Sequence, residues 1–185
     1  MGVTVSPAEF TLVDFDAAEI TAIAERLCDE IGLPPGLAIE IQVDESTPTG
    51  RVATASLDPL HLTVEGGAME NPKRLRTLSE DNAVDALGLA FFQARDRLDP
   101  AFGAPPLGAD LSLAERVTWD VFTMGRLARL GHRAQRTRHL YHFRNYHGFT
   151  DAADAAFEVL WAGDATTWSE LLALSAGARA ALTPG

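Results

Sequence analysis

A chain of 185 residues with 46% hydrophobic and 22% charged side chains has the makeup of an ordinary globular protein, long enough to bury roughly 70% of the surface its unfolded form exposes. A single cysteine excludes an internal disulfide and any cysteine-based zinc knuckle. A formal charge of −11 argues against a general nucleic-acid binder, because phosphates repel most of such a surface.

No run approaches the roughly 18 consecutive apolar residues of a membrane helix, and the N-terminus carries no charged-then-apolar leader. The expectation is a cytoplasmic protein, with no membrane partner, folded as a single domain over residues 1–185. One Lys against fourteen Arg suggests a GC-rich bacterial genome.

In chain order, the apolar FTLV at residues 10–13 predicts a short strand. Asp16 then caps a helix with Glu19 three residues on, and Ile20, Ile23, Ala24, Leu27, Cys28 and Ile31 repeat at helical spacing. Cys28 reads as a packing thiol within that stripe. Gly32, Pro34 and Pro35 end the helix. LAIEIQVD alternates, with Leu37, Ile39, Ile41 and Val43 on one face and Glu40, Gln42 and Asp44 on the other, which makes a half-buried strand. RVATASL and LHLTVEG follow as two more strands.

After Pro72 the pattern becomes helical. Ser79 caps a helix carrying Val84, Leu87, Phe91, Ala94 and Leu98, closed by Asp99 and Pro100. Ser112 and Glu115 form a capping box for a long helix predicted to run toward His139. Thr150 starts a shorter helix through Trp161, and Thr167 with Glu170 caps a last one. The fold class is therefore α+β: an N-terminal helix, a small mixed sheet of three to four strands, then a long helix and a C-terminal helical set.

That order, helix, alternating strands, a last strand and then a long helix, resembles the core of the zincin-like metallopeptidases over residues 16–98. The match rests on HLTVEGGAMENPKRLRTLSEDNAVDALGLAF, in which DALGL stands where the family carries HExxH. Zincin chemistry uses two histidines at i and i+4 on one helix face to hold zinc, with the glutamate as general base. At those positions this chain has Asp85, Ala86 and Leu89. Leucine cannot bind zinc and alanine cannot take a proton from water, so the resemblance implies a zincin-like fold without catalytic residues.

Residues 131–149 hold four of the five histidines and four of the arginines, with no carboxylate. Between Asp120 and Asp151 there are six arginines and no acid, a local charge of +6 within a total of −11. Arg126, Arg129, Arg133 and Arg136 are spaced 3, 4 and 3, which aligns them on one face of a continuous helix. With Arg144 they form a candidate anion- or partner-binding stripe, since guanidiniums match carboxylates and phosphates in pairs. Tyr141, Phe143, Tyr146 and Phe149 interleave with these cations and suit either stacking on a partner or folding back onto the core. His139 and His142 stand three apart and could share a zinc ion, with His147 as a third ligand. The flanking arginines oppose a cation there.

The chain has no GxxxxGK phosphate loop and no GxSxG elbow. The reading is a non-catalytic zincin-like scaffold that acts as a binding or regulatory module, without a cofactor, for an acidic protein or a small anionic ligand. The alternative is a metal-dependent hydrolase with zinc at His139, His142 and His147.

Overall fold

The computed structural model describes residues 2–107 and 111–180. Among them the fold is α+β, with six helices, a four-stranded mixed sheet and a separate two-stranded sheet. The packing groups the chain into two compact units, Met1–Arg95 and Asp96–Gly185. No helix among the described residues is long and apolar enough to cross a membrane.

In the N-terminal unit, β1 (Gly2–Ser6), α1 (Ala17–Ile31), β2 (Ala38–Asp44), β3 (Val52–Leu57) and β4 (Leu60–Glu65) follow in order. The sheet runs β1-β2-β4-β3. Strands β1, β2 and β4 are parallel, and β3 lies antiparallel on the edge. Parallel neighbours cannot be joined by a tight turn, and α1 supplies the crossover from β1 to β2. The alternation read in the sequence sets the faces: Ile39, Ile41 and Val43 are buried and aligned with Leu60, Leu62 and Val64, while Glu40, Gln42 and Asp44 are exposed. Each such aliphatic side chain contributes roughly 1.5–3 kcal/mol on burial.

Helix α1 begins and ends where its signals stand. Asp16 Oδ1 accepts the Ala18 N–H at 2.8 Å. Gly32, at φ +74°, closes the other end by donating to the Cys28 carbonyl at 3.0 Å.

The predicted strand at residues 10–13 does not form; the N-terminal strand is Gly2–Ser6. The reason is local: the Glu45 carboxylate takes the backbone N–H groups of Thr11 and Leu12 at 2.8 and 2.6 Å, so those donors are lost to a ladder. A hairpin of β5 (Glu70–Asn71) and β6 (Arg74–Leu78) precedes α2 (Glu80–Leu98). Its turn is held by Asn71 Oδ1, which accepts the Lys73 N–H at 3.0 Å. Ser79 caps α2 as expected, accepting from Asn82 N at 3.3 Å.

The C-terminal unit holds α3 (Leu113–Arg129), α4 (Arg136–His147), α5 (Asp151–Ala162) and α6 (Trp168–Ala180). The Ser112–Glu115 box opens α3 with both of its reciprocal bonds. The long helix predicted to reach His139 is in fact two helices. It stops at Leu130, and Gly131, at φ +94°, turns the chain before α4 begins. Thr150 caps α5, and Thr167 with Glu170 caps α6. Trp119, Val121, Phe122, Phe143, Phe157 and Leu160 pack in the core of this unit. Helix α3 lies so close to α5 that a Cβ on Gly125 would stand 2.2 Å from the Trp161 carbonyl oxygen.

Candidate functional site

Helix α4 is the least apolar segment of the C-terminal unit, and only Phe143 and His147 are fully buried on it. These two side chains, four residues apart, stack with ring centroids 3.9 Å apart and fix which face turns inward. The Phe143 carbonyl lies 3.1 Å from His147 Nδ1. A carbonyl can only accept, so Nδ1 carries the imidazole proton and Nε2 accepts from the Ser175 hydroxyl at 2.9 Å. Thr118 Oγ1 sits 3.1 Å from the same nitrogen and gives its own proton to the Ala114 carbonyl at 2.8 Å. Burial pushes the His147 pKa below the usual histidine range, against the bond to the Phe143 carbonyl and with the help of the Arg179 charge. His147 is thus a neutral latch joining α4 to α6, with Thr118 of α3 in contact with its ring.

The other two histidines of the expected zinc set point elsewhere. His139 lies against the Trp161 ring, with centroids 6.0 Å apart. Its pKa is pushed down to about 4, first by burial and then by the charges of Arg138 and His142. His142 meets the edge of Tyr146 at 5.3 Å, and burial followed by Arg138 lowers its pKa as well. Among the described residues no group of three or more His, Cys, Asp or Glu side chains could hold a metal ion.

The break at Gly131 also removes the continuous face on which the arginines were to align. Arg126 and Arg129 lie on α3, Arg133 on the connection, and Arg136 and Arg144 on α4. Arg126 forms a two-pronged pair with buried Asp96 at 2.7 and 2.6 Å, and Asp96 also accepts from Trp119 Nε1 at 2.8 Å. Arg129 donates to the Trp161 carbonyl at 2.6 Å. Arg136 pairs with Glu158. Arg144 grips both oxygens of Asp154 at 2.7 and 2.5 Å, which holds that carboxyl below the usual carboxylate range. Four of these guanidiniums therefore reach groups of the chain itself.

What α4 turns to solvent is a different set. Arg138, Tyr141, His142 and Asn145 are exposed at i, i+3, i+4 and i+7, one helical face. Tyr141 is 61% exposed and meets Phe149, 65% exposed, edge to face with centroids 6.0 Å apart. Among the described residues no carboxylate pairs with Arg138. Sequence reasoning singled out the two aromatics and passed over Arg138; its spacing three before Tyr141 was the available signal.

Compared with known proteins, the chain matches no protein-family model, no curated protein and no solved structure. On α2 the window aligned to HExxH holds half-buried Asp85, buried Ala86 and half-buried Leu89, a set with neither an imidazole nor the glutamate base.

Proposed function

We propose that the chain is a non-catalytic, zincin-like scaffold working as a binding or regulatory module, and that the solvent face of α4 is where it contacts an acidic partner protein. The element order, with α1 before β2, then β3 and β4, and the long α2 after the β5–β6 hairpin, supports the helix, strands, helix order on which the zincin resemblance rests. Asp85, Ala86 and Leu89 supply no zinc ligand pair and no base on the expected face.

One observation carries the contact surface: two large aromatic rings in edge contact, both more than half exposed, beside an arginine that no carboxylate of the described chain neutralises. Tyrosine and arginine are the side chains that dominate interface energetics, because they bury large area and still satisfy their polar ends at contact. On a chain of net charge −11, a local cation steers an acidic surface to one place and one orientation.

The test is Arg138→Glu combined with Tyr141→Ala. Both side chains face solvent, so the thermal midpoint should stay near that of the wild type, while salt-sensitive capture of an acidic protein is lost. Capture that survives the double substitution sinks this reading. Metal analysis of untagged protein addresses the alternative: stoichiometric zinc, lost in alanine variants of His139, His142 and His147, would replace the binding module with a metal-dependent hydrolase.

A further inference from the structure

The C-terminal unit carries a second feature that no element of the site above uses. Between α5 and α6 an open groove of about 560 Å³ is lined by Ala152, Ala155, Val159, Ala173, Leu174 and Gly177. Ala152, Ala155, Ala173 and Gly177 are exposed, so a body entering the groove would approach the two helix backbones closely. Asp164 and Glu170 line the groove at the end where α5 turns into α6. No cation lines it among the described residues.

Gly177 is the informative position. It lies inside α6, where glycine is less favourable than alanine. Its backbone is not in the left-handed region, and a Cβ built on it would meet nothing within 4 Å. The contrast is Gly125, where a Cβ would collide with the Trp161 carbonyl and the packing of α3 on α5 demands a bare backbone. At Gly177 no turn and no neighbour among the described residues requires the missing side chain, and the bare backbone leaves room for close approach along α6.

We propose that this groove docks an amphipathic helix of a partner protein, with small or aliphatic residues on the buried face and lysine or arginine at the end that meets Asp164 and Glu170. The lining runs from Ala152 to Val159 on α5 and from Glu170 to Ala178 on α6, about 10–12 Å at 1.5 Å per residue, which matches roughly two turns of a guest helix. The carboxylates select the sign of the guest's charge. A second copy brings its own net charge of −11, which disfavours self-association.

The probe is a synthetic amidated peptide of leucine, alanine and lysine patterned as an amphipathic helix with its lysines at one end, titrated onto the full chain. Binding should be saturable and accompanied by a gain in peptide helicity. A sister peptide with glutamate in place of lysine should bind at least about tenfold more weakly. Gly177→Leu fills the floor and should weaken the lysine peptide by about tenfold or more, while its thermal midpoint stays level or rises because an exposed helix position gains propensity. Gly177→Ala, the smaller change, should act in the same direction on both measurements. Arg138→Glu with Tyr141→Ala should leave peptide binding unaltered, which separates this groove from the α4 face. Peptide affinity that is absent in the wild type, or equal in the wild type and Gly177→Leu, overturns the proposal. So does a wild-type dimer in sedimentation that Gly177→Leu dissociates, since the groove then belongs to a second copy.

Discussion

Among the described residues, the buried polar side chains Asp96, Thr118, Thr123, His147 and Ser175 all lie in the C-terminal unit, whereas the buried side chains of the N-terminal unit are apolar throughout. One unit is specified by a binary pattern: aliphatic residues alternate along β2 and β4 and repeat at helical spacing along α1. The other is specified by pairing, through Asp96 with Arg126 and Trp119, and through His147 with Phe143 and Ser175. The difference predicts different failures. An apolar core loses stability in proportion to the volume removed, while a polar network fails sharply when one partner leaves the others buried.

The largest expected effect follows from that contrast. Asp96→Ala strands the Arg126 guanidinium and the Trp119 N–H, and should cost about 3–5 kcal/mol. All three tryptophans, Trp119, Trp161 and Trp168, belong to the C-terminal unit, so their fluorescence during urea unfolding reads that unit alone. A loss below about 1 kcal/mol would show that the pair is not what holds α3 in place. In the apolar unit, Leu62→Ala should cost about 2–5 kcal/mol by opening a cavity in the sheet's buried face. Circular dichroism should record it, and the tryptophan transition should shift less than the strand signal does.

Acid should separate the units next. His139, His142 and His147 all have folded pKa values below the unfolded one of about 6.5. A group depressed in this way binds protons more readily when unfolded. Its contribution is complete above pH 6.5 and is lost as pH falls, for His139 down to about 4. The shifted carboxylates Asp44 and Glu45 of the N-terminal unit, also lowered, begin to lose their contribution only below their unfolded range near pH 4. The tryptophan melting midpoint should therefore fall between pH 6.5 and 4.5 by more than the midpoint followed through the strands. Equal slopes would remove the histidines from the explanation.

The smallest effect is expected at the surface. Arg136→Ala breaks an exposed pair with Glu158 and should cost less than about 1 kcal/mol. A larger loss would mean that the stacking of Arg136 over Phe157, 5.2 Å from the ring centroid, anchors the start of α4.

How much of this was legible in the sequence follows the same division. The alternation of β2, the Asp16 and Gly32 caps of α1, and the Ser112–Glu115 box all act within a few residues, and all stand where they were read. The parallel pairing of β1 with β2 was not legible, because GVTVS is short and its partner lies over thirty residues away. The hairpin at residues 70–78 was hidden by a stretch of polar and basic residues with no apolar alternation. In the C-terminal unit the spacing of Arg126, Arg129, Arg133 and Arg136 imitated one helical face across a break. Gly131 was the signal for that break, since a glycine after Leu130 ends helices in this way. The Ser175 partner of His147 comes from another helix 28 residues away, and no local spacing encodes it.

Cys28, the only thiol, turns this division into something that can be timed. It is fully buried in α1, and burial, followed by the charges of Asp29 and Glu25, pushes its pKa up to about 12. At pH 8 the thiol stays protonated while the unit is closed. An alkylating reagent therefore waits for the N-terminal unit to open, and the labelling rate becomes a clock for that opening. With the indoles marking the other unit, one native sample carries two natural reporters, one chemical and one optical, with no engineered label.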